Sequence, residues 1–239
     1  MKDTFKQIVL FDFDGTLGYM SPSHKTLYQQ AIEEFDINLE KNAIQNMPIK
    51  NAWLKWTTDQ GIEHLSESQS SSKYKKLRKD IHAERLKKIG IFNFIDDISE
   101  RIYELESNQK FYYLYDDVID ALKYLKSKNI KMGIVSNHLW NLDKIVNSLK
   151  IANFFDIILS SAQAGYRKPH PSIYKLAIEK IQMSADTALF IGNDFEDDYD
   201  GPKKIGIDAI LINRNSENKI KNSINSLKEI HTVVLNHQT

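Results

Sequence analysis

Hydrophobic and polar positions alternate in two rhythms along this chain. Ile8-Val9-Leu10-Phe11 is an unbroken apolar run that stops at Asp12 and turns at Gly15, the pattern of a short buried strand. After Pro22 the rhythm becomes helical, with Leu27, Ala31, Ile32 and Phe35 on one side and Gln29, Gln30, Glu33 and Glu34 on the other. From Gly18 to Lys110 no buried strand is predicted. Trp53, Leu54 and Trp56 fall in a helix after Pro48. Ser66 to Ser72 reads as a loop, and Lys73 to Ile89 as a long charged helix stopped by Gly90. Ile95, Ile98, Ile102 and Leu105 mark a further helix.

Beyond Tyr115 strand and helix patterns alternate. Asp116-Asp117 is placed to cap a helix carrying Val118, Ile119, Leu122 and Leu125. Strands are predicted at Lys131–Val135, Phe155–Ser160, Ala188–Gly192 and Ala209–Ile212. Helices fall between them, one opened by Pro171, and Val233-Val234-Leu235 reads as one more strand. Unbroken apolar strands separated by helices imply a parallel sheet covered on both faces. The predicted fold class is therefore α/β, a doubly wound, Rossmann-like core. Its segments are 1–17 and 112–239, and 18–111 forms an all-α insertion.

Composition narrows the possibilities. With 239 residues, one core plus an insertion fits the length. Lys+Arg and Asp+Glu are both 32, and a net charge of zero argues against a dedicated nucleic-acid binder. The eight cations of Lys73–Lys88 read as a solvated helix face balanced by Asp80 and Glu84. The absence of cysteine excludes disulfides, thiolate nucleophiles and Cys-held zinc. No apolar run reaches the ~18 residues of a membrane span, and the first residues carry no signal-like apolar stretch. The expectation is a cytoplasmic protein with no membrane partner.

Candidate chemistry lies at strand ends, where ligands bind in open α/β sheets. Asp12-Phe13-Asp14-Gly15-Thr16 puts two carboxylates at the end of the first strand. In continued strand geometry both point to the same side and repel unless one is protonated or a cation intervenes. Such a pair can supply a nucleophile and an acid, or hold Mg²⁺.

Asp12-x-Asp14-Gly15-Thr16-Leu17 after a strand resembles the first motif of the haloacid dehalogenase superfamily, which is mostly phosphatases. The resemblance implies three further motifs in order. A Ser or Thr at the end of the next core strand is met by Ser136, followed by Asn137. Alone, such a Ser reads as a helix cap. A Lys before a helix is met by Lys168 in Arg167-Lys168-Pro169-His170-Pro171, where His170 reads as a turn residue. An acidic cluster after a strand and Gly is met by Gly192-Asn193-Asp194-Phe195-Glu196-Asp197-Asp198-Tyr199-Asp200. Asn193 there departs from the commoner Asp.

Carried over, the resemblance makes Asp12 the nucleophile and Asp14 the general acid and base. It places Mg²⁺ among Asp12, the Asp14 carbonyl and Asp194, with Asp198 and Asn193 as supporting shell. Ser136, Asn137 and Lys168 hold the phosphoryl oxygens. Glu196, Asp197 and Asp200 are expected to be solvated. The implied activity is an Mg²⁺-dependent phosphomonoesterase acting on a small phosphorylated metabolite, such as a nucleotide or sugar phosphate. The alternatives are a phosphomutase, a carbon–halogen hydrolase or a non-catalytic binding protein. Asp14 disfavours the halide chemistry, because a halide leaves without a proton. The insertion resembles a helical cap, expected to hinge near Gly18 and Lys110.

Overall fold

Ile8–Phe11 forms β1, buried along its whole length. In the computed structural model, which describes residues 6–40, 42–47, 67–214 and 223–236, this strand is the axis of the fold. Gly18–Met20 (β2) follows, then the helices His24–Glu33 (α1), Ser71–Lys88 (α2) and Ile95–Glu106 (α3). Tyr112–Leu114 (β3) returns the chain to the sheet side. The sequence then runs Val118–Ser127 (α4), Lys131–Ser136 (β4), Leu142–Ser148 (α5), Ile157–Ser160 (β5), Ser161–Ala164 (α6) and Pro171–Ile181 (α7). Ala188–Gly192 (β6), a wide helical turn over Phe195–Asp200, Gly201–Lys203 (α8), Asp208–Ile212 (β7), Ser223–Ile224 (β8) and Ile230–Asn236 (α9) complete it.

The main sheet is parallel, in the order β5-β4-β1-β6-β7-β8. β1 pairs with β4 on one side and β6 on the other, Phe11 facing Ile134 and Ile191. Strand order reverses around β1, so the ends of β1, β4 and β6 meet at a switch point. Alternate β1 side chains enter opposite layers. Val9 and Phe11 pack with Leu122, Ile145 and Val234, while Ile8 and Leu10 pack with Ile173, Tyr174 and Ala177. That alternation is why the strand is apolar at every position. Each such fully buried Leu, Ile or Phe contributes about 1.5–3 kcal/mol.

α1, α2 and α3 share a separate core of Leu27, Ile32, Leu86, Ile98 and Ile102. Tyr74, Leu77 and Ile81 of α2 pack on Leu139 and Ala162 beside the sheet. Ser23 and Ser70 cap α1 and α2, accepting from the backbone N–H of Thr26 (3.3 Å) and Lys73 (3.2 Å).

Several expectations are corrected. Gly18–Met20 and Tyr112–Leu114 form an antiparallel pair, so both crossings between sheet and helices run through one short ribbon. These strands are too short to show a periodicity. Val233, Val234 and Leu235 lie in a helix, α9, with Val233 and Val234 buried against the sheet. Three consecutive apolar residues fit either element, and length does not arbitrate. Asp117 stands at the start of α4 but does not cap it. Its carboxylate accepts from Arg214 (3.0 Å), Ser226 (2.6 Å) and the Leu227 N–H (2.8 Å). The charged face of α2 is solvated only in part, since Arg78 and Arg85 are buried. The helix expected around Trp53, Leu54 and Trp56 lies outside the described residues. No helix among the described residues is long and apolar enough to cross a membrane.

Candidate active site

β1 ends at Phe11, but the Asp12 N–H still donates to the Ile191 carbonyl (3.0 Å). The chain then folds on itself. The N–H groups of Thr16, Leu17 and Gly18 all point to the Phe13 carbonyl, at 3.2, 2.9 and 2.9 Å. Gly15 sits at φ +79°, and a Cβ there would lie 2.8 Å from the Asn193 Oδ1. Both conditions call for glycine. Asn193 therefore packs on the first loop and accepts from the Thr16 hydroxyl (3.2 Å). Strand alternation does not extend to Asp14, contrary to the sequence argument. The turn buries Asp12 (7% exposed) and leaves the Asp14 side chain 48% exposed to a cavity.

Lys168 connects the loops. It is 4% exposed, and its Nζ donates to Asp12 Oδ1 (2.7 Å) and Asp198 Oδ1 (2.6 Å). Burial works against its charge, but Asp12 and Asp198 outweigh that and hold its pKa above the usual lysine range. Asn137, just past β4, fixes the Lys168 backbone. Its Oδ1 accepts the Lys168 N–H (2.8 Å), and its Nδ2 donates to the Lys168 carbonyl (3.0 Å) and to Asp197 Oδ2 (2.9 Å). Both amide hydrogens are thus used within the protein. The Asn137 side chain holds the lysine loop rather than offering itself to a phosphoryl oxygen, which departs from the expectation. Ser136 is buried at the end of β4, level with Ser160 of β5.

The acidic turn after β6 is differentiated. Asp194 Oδ1 accepts from the N–H groups of Glu196 (3.0 Å) and Asp197 (3.1 Å), so this carboxylate organises the turn. Asp198 is 1% exposed, and its Oδ2 accepts the Asp194 N–H (2.9 Å) while Oδ1 meets Lys168. Asp198, expected to support Asp194, is the acid in contact with Lys168. Asp197, expected to be solvated, is held by Asn137 and half-buried. Glu196 is exposed as expected, and Asp200 pairs with Lys204 at 2.6 Å.

Gly192 makes room for this arrangement. A Cβ there would fall 2.3 Å from Asp198 Cγ and Oδ2. Gly192→Ala is expected to cost about 1–3 kcal/mol by overpacking and to lower turnover by displacing Asp198 from Lys168. Thermal melting and steady-state rates check this. A variant with wild-type melting and rate would show that the close approach is relieved at no cost.

The protein wall around the half-exposed Asp14 carboxyl disfavours its charge, and with the Asp12 charge pushes it up to about 7. Burial raises Asp198 to about 7 and Asp197 to about 6, with Lys168 offsetting only part of the rise. One lysine does not balance this many acids, and the donors are hard oxygens, so the site fits a divalent cation such as Mg²⁺. The expected donors are the Asp12 and Asp194 side chains and the Asp14 carbonyl. Among the described residues no three His, Asp or Glu side chains gather as a metal-binding group. Two carboxylates with water completing the shell is an ordinary arrangement for Mg²⁺.

Beside Asp14 lies a cavity of about 90 Å³ lined by His24, Tyr74, Arg78, Tyr112, His138 and Arg167, among others. None of these residues is assigned to the site from sequence, where Arg78 reads as part of a solvated face. Their signal was phase: Tyr74, Arg78, Ile81, His82 and Arg85 recur at helical spacing, so polar members share the buried stripe of α2. Arg214 was also missed. It joins Asp117 to the first loop by donating to the Thr16 carbonyl (Nε, 3.1 Å), and it stacks 3.9 Å from the Tyr115 ring centre. His170 caps α7, its Nδ1 accepting from the Ser172 N–H (3.2 Å).

Arg78 enters the cavity from a buried network. Its guanidinium pairs in two-pronged fashion with Glu106, whose Oε1 also meets His82 Nε2 (3.0 Å). His82 Nδ1 faces the Tyr28 hydroxyl (2.5 Å), which accepts from Arg85 (3.2 Å). Burial alone would raise the Glu106 carboxyl, but Arg78 and His82 hold it well below the usual range. Burial lowers His82 from 6.5 to about 4. The folded state thus keeps His82 neutral where the unfolded chain protonates it. This contribution is complete above pH 6.5 and is lost as pH falls through 4, about 3 kcal/mol at most. Melting temperature is expected to drop from pH 7 to 4 in the wild type and less steeply in His82→Gln. Equal slopes would remove His82 as the cause.

The sequence matches the pattern of the family described as haloacid dehalogenase-like hydrolase over residues 9–212. The chain belongs to that family. Haloacid dehalogenase-like hydrolases similar to it include the human (Homo sapiens) haloacid dehalogenase-like hydrolase domain-containing protein 3. That protein is 28% identical over 115 residues, 48% of this chain and 46% of the relative. Glyceraldehyde 3-phosphate phosphatase from Methanothermobacter thermautotrophicus is 31% identical over 112 residues, 44% of this chain and 48% of the relative. The chain spans about half the length of these two curated relatives. The crystal structure of a putative beta-phosphoglucomutase from Thermotoga maritima superposes with a TM-score of 0.69 at 16% identity. It covers 96% of this chain and 99% of that one, which shows a shared fold.

Proposed function

We propose that this hydrolase cleaves small phosphate monoesters through a covalent intermediate on Asp12. The observation that carries the reading is the buried contact of Lys168 with Asp12 and Asp198, set beside an Asp14 carboxyl pushed up to about 7. Lys168 lowers the cost of bringing an anionic phosphoryl group to an anionic nucleophile. The sheet supports the assignment by bringing the ends of β1, β4 and β6 to one switch point.

In the first half-reaction an Asp12 oxygen bonds to phosphorus, and the ester P–O bond breaks. Asp14 gives its proton to the departing alkoxide. In the second, water attacks the aspartyl-phosphate and its proton passes to Asp14. The Asp12–phosphorus bond then breaks, releasing phosphate and restoring both residues. A carboxyl with pKa about 7 is suited to giving and taking that proton near neutral pH. Ser136 and the Lys168 ammonium hold phosphoryl oxygens, and Asn137 keeps Lys168 in place. Asp12, the Asp14 carbonyl and Asp194 would hold Mg²⁺, which would supply neutralisation of the phosphoryl charge when bound. Residues 18–111 act as a cap domain over the 1–17 and 112–239 core, and the cavity beside Asp14 takes the leaving group. Its volume of about 90 Å³ favours a small one. Phosphatase names among the relatives support the same reading.

The test is phosphate release from a panel of nucleotide, sugar and short-chain phosphates, with Mg²⁺ or with EDTA. Release that needs Mg²⁺ and favours compact esters is expected. A folded, Mg²⁺-loaded protein inert on every ester would overturn the reading.

A further inference from the structure

His138 lies one residue beyond the Ser136-Asn137 pair, and nothing in the mechanism above uses it. Its ring is buried, with Nε2 3.6 Å from Asp14 Oδ2. Two aromatic rings fix its orientation. Phe13 meets it edge-on at 5.7 Å and 89°, and Tyr112 lies at 5.4 Å and 54°. Its backbone is also fixed, the His138 N–H donating to the Ser136 carbonyl (2.9 Å) and its carbonyl facing the Ser161 hydroxyl (3.4 Å). A ring held this firmly, with a nitrogen aimed at one oxygen of a half-exposed carboxyl, does more than fill space.

We infer that His138 is a positioning residue for Asp14: its Nε2–H is directed at Asp14 Oδ2, so the proton delivered to the leaving group is carried on Oδ1. The inference rests on the phosphatase reading. A carboxylic acid has two oxygens, and only one can face the ester oxygen with its proton. A donor on the other oxygen selects the productive form and holds the carboxyl plane. At 3.6 Å the contact is longer than a hydrogen bond, and a small rotation of the Asp14 side chain closes it. Catalytic contacts commonly tighten in that way when substrate binds. Phe13 stands between the two aspartates in sequence, and Tyr112 belongs to the β2–β3 ribbon. The same rings that aim His138 therefore tie the acid to the crossing between sheet and helices.

The consequence depends on the leaving group. An alkyl phosphate needs the Asp14 proton, whereas a nitrophenyl phosphate expels a stable phenolate without it. We expect His138→Leu to lower kcat/KM for an alkyl phosphate by roughly 10- to 100-fold and for the aryl phosphate by less than about 3-fold. Asp14→Asn should show the same split, enlarged. His138→Gln, which keeps a side-chain N–H near the Nε2 position, should recover most of the alkyl activity. Circular dichroism and melting establish that each variant folds. If His138→Leu does not, His138→Asn is read instead, because its shorter amide stays polar but falls short of Oδ2. Equal losses on both esters in a folded variant would overturn the role of His138 and leave the phosphatase reading standing. A wild type inactive on both esters removes the reading and the inference together.

Discussion

Asp12→Asn is expected to lower phosphatase turnover by roughly 10⁴-fold or more while leaving the fold intact. The two halves of this expectation have separate causes. The amide oxygen of Asn can still accept from the Lys168 ammonium, which now meets Asp12 Oδ1 at 2.7 Å. One negative charge leaves a neighbourhood where Asp14 and Asp198 are already pushed up to about 7. Melting temperature should therefore stay level or rise. Chemistry suffers because a neutral amide is a poor nucleophile toward phosphorus and gives no acyl phosphate. Rapid acid quench with a labelled ester should trap protein-bound phosphate in the wild type and none in the variant. A variant that keeps a tenth of the turnover, or still traps label, would remove Asp12 as the nucleophile.

Local features of this site were legible in the sequence where they depend on neighbours along the chain. β1 is apolar at all four positions because it is buried on both faces, and its end at Asp12 follows from that run. Gly15 and Gly192 are fixed by close approach, yet what each approaches could not be read. Asn193 lies against Gly15 from 178 positions away, and Asp198 crowds Gly192 from across its own turn. The separate contacts of Asp194 and Asp198 were hidden for the same reason. Spacing within an acidic run does not say which carboxylate the turn consumes as its own cap and which it buries. Asn137 shows the limit most clearly. Its type and place suit a phosphoryl ligand, but its amide is taken up by the Lys168 backbone and Asp197, contacts that exist only after folding. His138, Arg78 and Arg167 converge from three separate segments on one cavity, and no spacing along the chain encodes that meeting.

Lys168→Met should lose both stability and activity, with stability depending on pH in a set direction. The methionine fills similar space beside Phe190, whose ring centre lies 5.3 Å from Nζ, so packing loss is small. The electrostatic loss is large. Removing one partner of a buried ion pair costs about 3–5 kcal/mol, because the other partners remain buried and uncompensated. Here two carboxylates, Asp12 and Asp198, lose their shared donor. Burial already raises Asp198 to about 7, and Lys168 is the first cause opposing that rise. Without the lysine the folded state binds a proton there still more readily, whereas the unfolded chain releases it near the ordinary 3.8. A group whose folded pKa is raised stabilises below its unfolded value, and that stability is lost as pH climbs through the folded value. Both proteins should therefore lose stability in parallel up to about pH 7, where wild type levels off and the variant does not, so the deficit opens above pH 7 and widens with rising pH. Wild type keeps more of its stability above pH 7, because Lys168 tempers the rise. Melting at pH 5, 7 and 9 for both proteins measures the difference directly. Turnover should fall by roughly 10²- to 10³-fold, the cost of losing one preorganised charge at a reacting anion. Lys168→Arg should not restore it, since a planar fork cannot occupy the position of a compact ammonium between Asp12 and Asp198. A deficit independent of pH would mean that Lys168 acts through packing, and the charge argument for the whole site would fall with it.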